Sequence, residues 1–495
     1  MLLYFFIIRQ LTNEQKAASN ASRRKKRKDM VDELVANNWR YMDNANECFL
    51  MGPSPSHGTF MKLKIRTFIS YLDLFHRFIP KSMVQRLVDG FSLDDSIIGT
   101  RGSRAKGVTP RARKKNRVPV VFKISLRYVY QSIAVYIKLL GQQSSSTENK
   151  KNKNNYASCI SECINFFSTL STDPKHKCVG RTIVMRLLSS CLFTGEYADD
   201  ICLNFQSLVM HLGHAIAGDE KLFYFTGESG NVIFVPSKPG KYGFWFYQLC
   251  GSLNNGLPYC LKFELKDNAN NKVYKILDIT KKWVDVIYNV GSEYVPPGTN
   301  PNPYTYLASD SYYTDNAVRK FLLEDKPDIR FTCSVRGDRF PGEVRMVHPE
   351  EDRDKTGQWK GITNDTTGEC FVYHYDTQKG VGKKYNYSRG FIRSVDKYKV
   401  KEHSNRIPCY DYYKTMFESC DRFNRNLHDR VWPYKRGGKG TLGEAGHHHD
   451  FIMATVVQNI FNAYHSINTI EHRFTDFKYM CDQLSTDIFN YSLSN

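Results

Sequence analysis

The chain has 495 residues with 70 Lys and Arg against 50 Asp and Glu, a formal net charge of +20. That excess favours a polyanionic partner, since each neutralised phosphate releases counterions, although Lys, Asn and Tyr enrichment is also what an AT-rich genome gives. The length implies several domains with substantial cores. Met1 to Ile8 is apolar but far shorter than the ~20 residues a spanning helix needs, and it lacks a basic n-region and a small-residue cleavage site, so composition argues against a membrane or secreted chain.

In chain order, the first feature is the basic block Arg23, Arg24, Lys25, Lys26, Arg27 and Lys28, of nuclear-localisation or DNA-tail type. Two segments follow, Tyr71 to Val88 and Ile124 to Gly141. Between them lies a second basic cluster, including Arg111, Arg113, Lys114, Lys115 and Arg117, in a Gly-, Ser- and Pro-rich setting expected of a flexible loop over about 98–118. Residues 142–155 are polar, Lys- and Asn-rich, and read as a disordered linker. The 13 cysteines are scattered with no Cys-x2-Cys pair; Cys159 and Cys163 share one helical face, and the set reads as reduced core thiols in an intracellular protein. His447-His448-His449 reads as a solvated helix start, a weak metal site being the alternative.

The stretch Asp219 to Gly251 carries the most information. A Pro236-Ser-Lys-Pro-Gly240 turn precedes the apolar run Phe244 to Cys250, short enough for a buried strand, and Tyr259 to Leu265 follows a Leu253-Asn-Asn-Gly256 turn as its hairpin partner. Further on come Asp310-Ser-Tyr-Tyr-Thr314 before a helical segment, Cys333-Ser-Val-Arg336-Gly-Asp-Arg339-Phe-Pro341, Tyr410 to Asp421, Trp432-Pro433, and Phe451 to Tyr464.

This series resembles, in order, the motifs of the piggyBac transposase family over roughly residues 65–466. Asp219, Glu220, Gly227, Pro236, Lys238, Pro239, Lys241, Gly243 and Ser252 fit the family pattern. Glu228 stands where the family has Arg, and Gly251 is aligned with the first catalytic Asp. The resemblance implies an α/β fold: an RNase H-like, retroviral integrase-type catalytic core, a flanking discontinuous helical DNA-binding and dimerisation domain, and a small β-rich insertion. It implies catalytic and metal-binding roles for Asp310, Glu418 and Asp421. Chemistry of this kind needs two divalent ions such as Mg²⁺, held by converging oxygen ligands. Glu264 and Asp267, the acids nearest Gly251, lie where a hairpin register takes them away from that strand's end. Without the family pattern, Asp310 reads as a helix cap, and Glu418 and Asp421 as a solvated pair at i and i+3.

The expected organisation is a flexible basic N-terminus over 1–64, a helical dimerisation and DNA-binding region over 65–235, the core over 236–345, the insertion over 346–399, the end of the core over 400–422, and C-terminal helices over 423–495 packing back on the helical region. DNA contacts are expected from the two basic clusters and from Lys238, Lys241, Arg336 and Arg339. Many family members end in a zinc-binding Cys/His-rich domain, and no such array follows Cys481, so end recognition by that device is not expected. Three readings follow. The first is a nuclear, dimeric DNA-binding protein, catalytically inactive because of Gly251, as a homodimer or paired with an active relative. The second is an active Mg²⁺-dependent DDE/D enzyme cutting and joining DNA at TTAA targets. The third is a decayed copy that folds poorly and binds nothing specific.

Overall fold

The structure is a computed structural model that describes residues 13–41, 60–90, 124–143, 156–189, 196–225, 231–266, 275–346, 359–374, 390–392, 418–427, 441–468 and 477–494, apart from isolated positions within them. The loop expected over 98–118 and most of the linker expected over 142–155 lie outside the described residues.

The first described residues form a helix and a strand within the segment where a flexible terminus is expected. Helix α1 spans Asn13–Ala36, and β1, Trp39–Tyr41, follows directly. Strand β1 pairs antiparallel with β10, Trp359–Asn364, which forms a hairpin with β11, Cys370–His374. Sequence reading missed this pairing because the two partners lie more than 300 residues apart, although Arg40 also reaches Asp365 Oδ2 at 2.9 Å and Asn38 donates to Thr366 Oγ1 at 3.0 Å. Asn38 takes a φ of 64°, a left-handed conformation that Asn tolerates, and its carbonyl accepts from Asp365 N at 3.3 Å.

Helices α2, Tyr71–Phe78, and α3, Lys81–Asp89, meet the sequence expectation. Ser70 and Asp73 form a capping box that starts α2, and the Ser70 hydrogen bond holds the Asp73 carboxyl below its ordinary range. Helix α4, Leu126–Gln143, packs against the last helix, α12, Phe477–Leu493, so closely that a Cβ on Gly141 would lie 2.7 Å from Cys481 Cβ. Helix α5, Tyr156–Thr169, stacks Phe167 on Phe489 of α12 at 4.8 Å. Helices α6, Arg181–Ser189, and α7, Glu196–Ser207, complete this helical layer. The long helix α11, Thr441–Ile467, joins that layer to the sheet. Tyr464 meets Tyr71 on one side at 3.8 Å, and Phe451 stacks on Phe246 on the other at 3.7 Å. Asn459 of α11 also brackets the Cys260 peptide, accepting from its N at 3.0 Å and donating to its O at 2.8 Å. His448 and His449 lie within α11, His449 buried against Tyr136, rather than at a solvated helix start.

The main sheet has seven strands. Its centre is β4, Ala215–Tyr224, paired antiparallel with β6, Tyr242–Ser252, and parallel with β8, Tyr306–Ser309. Outward from β6 lie β5, Ile233–Phe234, and β7, Pro258–Leu265; outward from β8 lie β9, Arg330–Val335, parallel, and β12, Gly390–Ile392, antiparallel. The turn from β6 to β7 needs Gly256, whose φ is +75°. A separate two-stranded ladder joins β2, Lys62–Leu63, to β3, Val209–His211. Helix α8, Ile276–Asn289, crosses between β7 and β8 and sets Trp283 on Gly218, where any Cβ would lie 2.3–2.5 Å from the ring.

Two expected boundaries move. The sheet starts at Ala215 rather than near residue 236, so the expected opening hairpin, β6–β7, is a hairpin but not the opening of the sheet. Strand β12, inside the expected insertion, belongs to the main sheet.

Candidate functional site

Strand β4 runs through the middle of the sheet with Asp219 and Glu220 at its centre. Asp219 is 7% exposed, and burial, then the neighbouring Glu220 carboxyl, then Asp310 push its carboxyl well above the ordinary range. Asp310 lies just past the end of β8, which runs parallel to β4 and pairs Ser309 with Gly218. The topology therefore brings two carboxylates, 91 positions apart in the chain, to one place at the sheet's centre.

The segment after β8 is built to hold Asp310. Its Oδ1 accepts from Tyr312 N at 2.7 Å, and its carbonyl accepts from Tyr313 N at 3.2 Å. The helix cap is Asp315, which accepts from Val318 N at 2.9 Å to start α9, Asn316–Lys320. Asp310 is therefore not the cap that the bare sequence allows. Arg339 Nη1 donates to the carbonyls of Ser311, Tyr312 and Thr314 at 3.2, 2.8 and 2.9 Å. The expected DNA contact by Arg339 is corrected accordingly: its guanidinium clamps the loop that carries Asp310, because that loop's carbonyls face inward. Tyr313, fully buried, donates its hydroxyl to Glu220 Oε2 at 2.8 Å. Burial first, then Glu220, Asp219 and Asp310, raise the Tyr313 phenol well above its ordinary value.

Residues 418–427 are helical and are fixed across β4 and β6 by polar side chains. Cys420 Sγ donates to Ala217 O at 2.9 Å, and Ser419 Oγ donates to Cys250 O at 3.2 Å. From the sheet, Lys221 Nζ donates to Asn424 O at 2.8 Å. This attachment sets Asp421 beside the cluster. Loss of hydration raises its carboxyl, Lys238 and Arg425 lower it, and Glu220 and Glu418 raise it again. Lys238 Nζ stands 3.4 Å from Glu220 Oε1, so this cation neighbours both carboxylates. Glu418 is exposed.

Gly251, aligned in the sequence with a catalytic Asp, is not part of this cluster. It lies on β6 opposite Ile216, whereas Asp219 pairs with Gln248. Side chains alternate along a strand, so an offset of three residues puts position 251 on the opposite face of the sheet and about 10 Å along the strand from Asp219's partner. A Cβ there would lie 2.7 Å from Met61 Sδ and 3.3 Å from Ile216 Cγ2. The residue that meets Asp310 is Asp219, which the sequence reading matched to the motif but gave no role. Its signal was present: a Gly-Asp-Glu-Lys interruption within a segment otherwise apolar enough for a buried strand.

Of the other expected DNA-contacting residues, Lys241 is exposed at the start of β6, and Arg23, Arg24, Lys25, Lys26 and Lys28 are exposed on α1. Arg336, Arg111, Arg113, Lys114, Lys115 and Arg117 lie outside the described residues, as does the side chain of Arg27.

Asp219 also makes stability depend on pH. Its native value is above the ~3.9 of an unfolded chain, so the native state holds the extra proton in the window between the two. Its stabilising effect is complete below the unfolded value and is lost as pH rises through the native one. Metal-free protein should melt at lower temperature as pH rises from 5 to 8, and Asp219→Asn should flatten that dependence in thermal melts.

No known family matches the chain, and no curated protein matches it. Among solved structures, the chain is similar to a cryo-EM structure of a piggyBac transposase synaptic complex with hairpin DNA, at 14% identity, over 90% of this chain and 83% of that chain, with a TM-score of 0.59. The chain has a mixed α/β fold like that of the piggyBac transposase, the fold that its ordered motifs led us to expect.

Proposed function

We propose that this chain is a transposase-type DNA nuclease with Asp219 and Asp310 as its first two catalytic carboxylates, and that the sheet is an RNase H-like core. The observation that carries the reading is the placement of Asp219 on the central strand and Asp310 just past the parallel neighbouring strand, close enough for Asp310 to disfavour the charge on Asp219. The strand order β7-β6-β4-β8-β9, with the first three antiparallel and the last two parallel to β4, supports the core assignment. The inactive reading rested on Gly251, and its position on the other face of β6 removes that ground.

The donor set suits a hard divalent cation. Carboxylate oxygens are what Mg²⁺ takes, and Asp219 is held above its ordinary range by burial first, then by Glu220 and Asp310. Among the described residues no three His, Cys, Asp or Glu side chains stand close enough to hold an ion as they are. Asp219 and Asp310 would hold it, with Asp421 or Glu418 added from the 418–427 helix. When bound, the ion supplies charge stabilisation at a phosphodiester and a more acidic water.

The chain's own residues do the rest. Asp219 gives up its proton to become a ligand, so divalent binding tightens as pH rises. Tyr313 and Lys238 hold Glu220 in place, and Arg339 fixes the loop that aims Asp310. DNA is the proposed substrate, with TTAA the first target to try, and the nucleus the proposed location. We also propose a homodimer, to be checked by light scattering.

The test is nicking of a TTAA-containing duplex in Mg²⁺ or Mn²⁺. Wild-type protein should cut, and Asp310→Asn should cut about 10³-fold more slowly, the several kcal/mol that such a ligand contributes. Wild-type protein that binds DNA but never cuts it in either metal would return the chain to the inactive reading.

A further inference from the structure

The basic block of α1 lies N-terminal to the part of the helix that packs on the core. Met30, Val31 and Leu34 are half-buried at i, i+1 and i+4, with Val31 and Leu34 packed on the core and Leu34 Cδ1 3.0 Å from where a Gly342 Cβ would lie. Strand β1 then ties the chain to the β10–β11 hairpin. Towards the N-terminus the surroundings change: residues 20–26 and Lys28 are all exposed. At 100° per residue, Arg23, Arg24, Lys25, Lys26 and Lys28 point in every direction around the axis. Over residues 20–26, about 10 Å of helix, no described side chain is buried.

Like charges at i+3 and i+4, such as Arg23 with Lys26 or Arg24 with Lys28, oppose a helix in water. Asp29 and Asp32 stand at i+3 or i+4 from Lys25, Lys26 and Lys28, but no acid lies at that spacing from Arg23 or Arg24. A polyanion surrounding the helix on all sides would relieve them. The B-DNA major groove is about 12 Å wide and admits one α-helix between two phosphate rims, and a cationic collar matches both rims at once.

We propose that α1 enters the major groove of duplex DNA and holds it against the body of the protein. The inference rests on the nuclease reading for its biological sense, but its measurements are independent of cleavage. The helix, rather than charge alone, is the recognition element: it sets the basic side chains at a fixed distance from the Trp39–Tyr41 anchor.

The full chain is titrated with fluorescent duplex DNA across a salt series. The variants are Arg23, Arg24, Lys25, Lys26 and Lys28 all changed to Gln, and separately Ser22→Pro, which keeps every charge but breaks the helix. The Gln variant should lose at least tenfold in affinity at 150 mM salt, and its slope of log affinity against log salt should fall by about 3–4 units, near 0.9 per lost phosphate contact. Ser22→Pro should lose affinity too, and helicity by circular dichroism should rise when DNA is added to wild type but not to this variant. Guanine N7 methylation should interfere with wild-type binding.

Ser22→Pro binding like wild type, or the absence of methylation interference, would overturn groove insertion in favour of a charged tail. Unchanged binding by the Gln variant would overturn the DNA contact altogether and leave the block as a transport signal. The two readings fail separately: wild type that binds with the expected salt slope and methylation interference but never cuts ends the nuclease reading and leaves groove insertion standing, whereas wild type that cuts but shows no interference ends groove insertion alone.

Discussion

Asp219→Asn should abolish divalent-dependent cleavage while making the metal-free protein more stable, and Gly251→Asp should restore nothing and destabilise it. The first substitution removes a buried carboxyl that Glu220 and Asp310 already hold away from its charged form. Loss of about 10³-fold in rate is expected for a direct metal ligand, with a gain of about 1 kcal/mol in stability at neutral pH, the usual exchange at a site strained for function. The second substitution forces a side chain into Met61 and Ile216 and buries a carboxylate on the face of β6 opposite Asp219. Overpacking and an unpaired buried charge together should cost about 3 kcal/mol or more. Thermal melts in chelator and nicking in Mn²⁺ measure both variants. Cutting gained by Gly251→Asp would place the first carboxylate back on β6 and remove Asp219 from the site.

The order of weak motifs carried the fold, because a chain that keeps the same landmarks in sequence keeps the same elements. The β6–β7 hairpin was legible from an apolar run and turn residues, and helices α2, α3 and α4 from their place in the family resemblance. The central strand was not. Ala215 to Tyr224 has Gly218, Asp219, Glu220 and Lys221 in its middle, which locally reads as a turn, while β6 has the unbroken apolar run that a central strand is expected to have. On the proposed reading, that misplacement set the first carboxylate 32 positions too far along the chain. Local reading failed at β4 because function overrides propensity there: polar residues are buried at the sheet's centre to meet Asp310. The β1–β10 pairing was invisible for another reason, being a matter of backbone hydrogen bonds between distant segments. Arg339 looked like a basic residue for DNA because sequence shows charge but not the three carbonyls that it holds.

Arg319→Met should destabilise the protein by about 3–5 kcal/mol. Arg319 makes a two-pronged ion pair with Glu369, Nε to Oε1 at 2.7 Å and Nη2 to Oε2 at 2.8 Å, and a third bond to Glu343 at 2.9 Å. Its guanidinium also lies 5.6 Å from the Trp39 ring centre. Glu369 is 1% exposed, so removing the cation leaves a buried carboxylate without its counter-charge, which costs about 3–5 kcal/mol. Four elements share this one side chain: α9 after the Asp310 loop, β1, the turn before β11, and the segment around Glu343. Arg319→Met should therefore lower the first thermal transition and speed hydrogen exchange at residues 39–41 and 359–374 before the sheet centre is affected. Adding Glu343→Gln and Glu369→Gln should recover most of the stability, since a neutral cluster has no stranded charge. Nicking activity separates two roles for the cluster. A single variant that melts early yet cuts normally below its transition would confine Arg319 to holding β1 and the hairpin. One that loses divalent affinity as well, and regains it in the triple variant, would make the same cluster the support of the Asp310 loop.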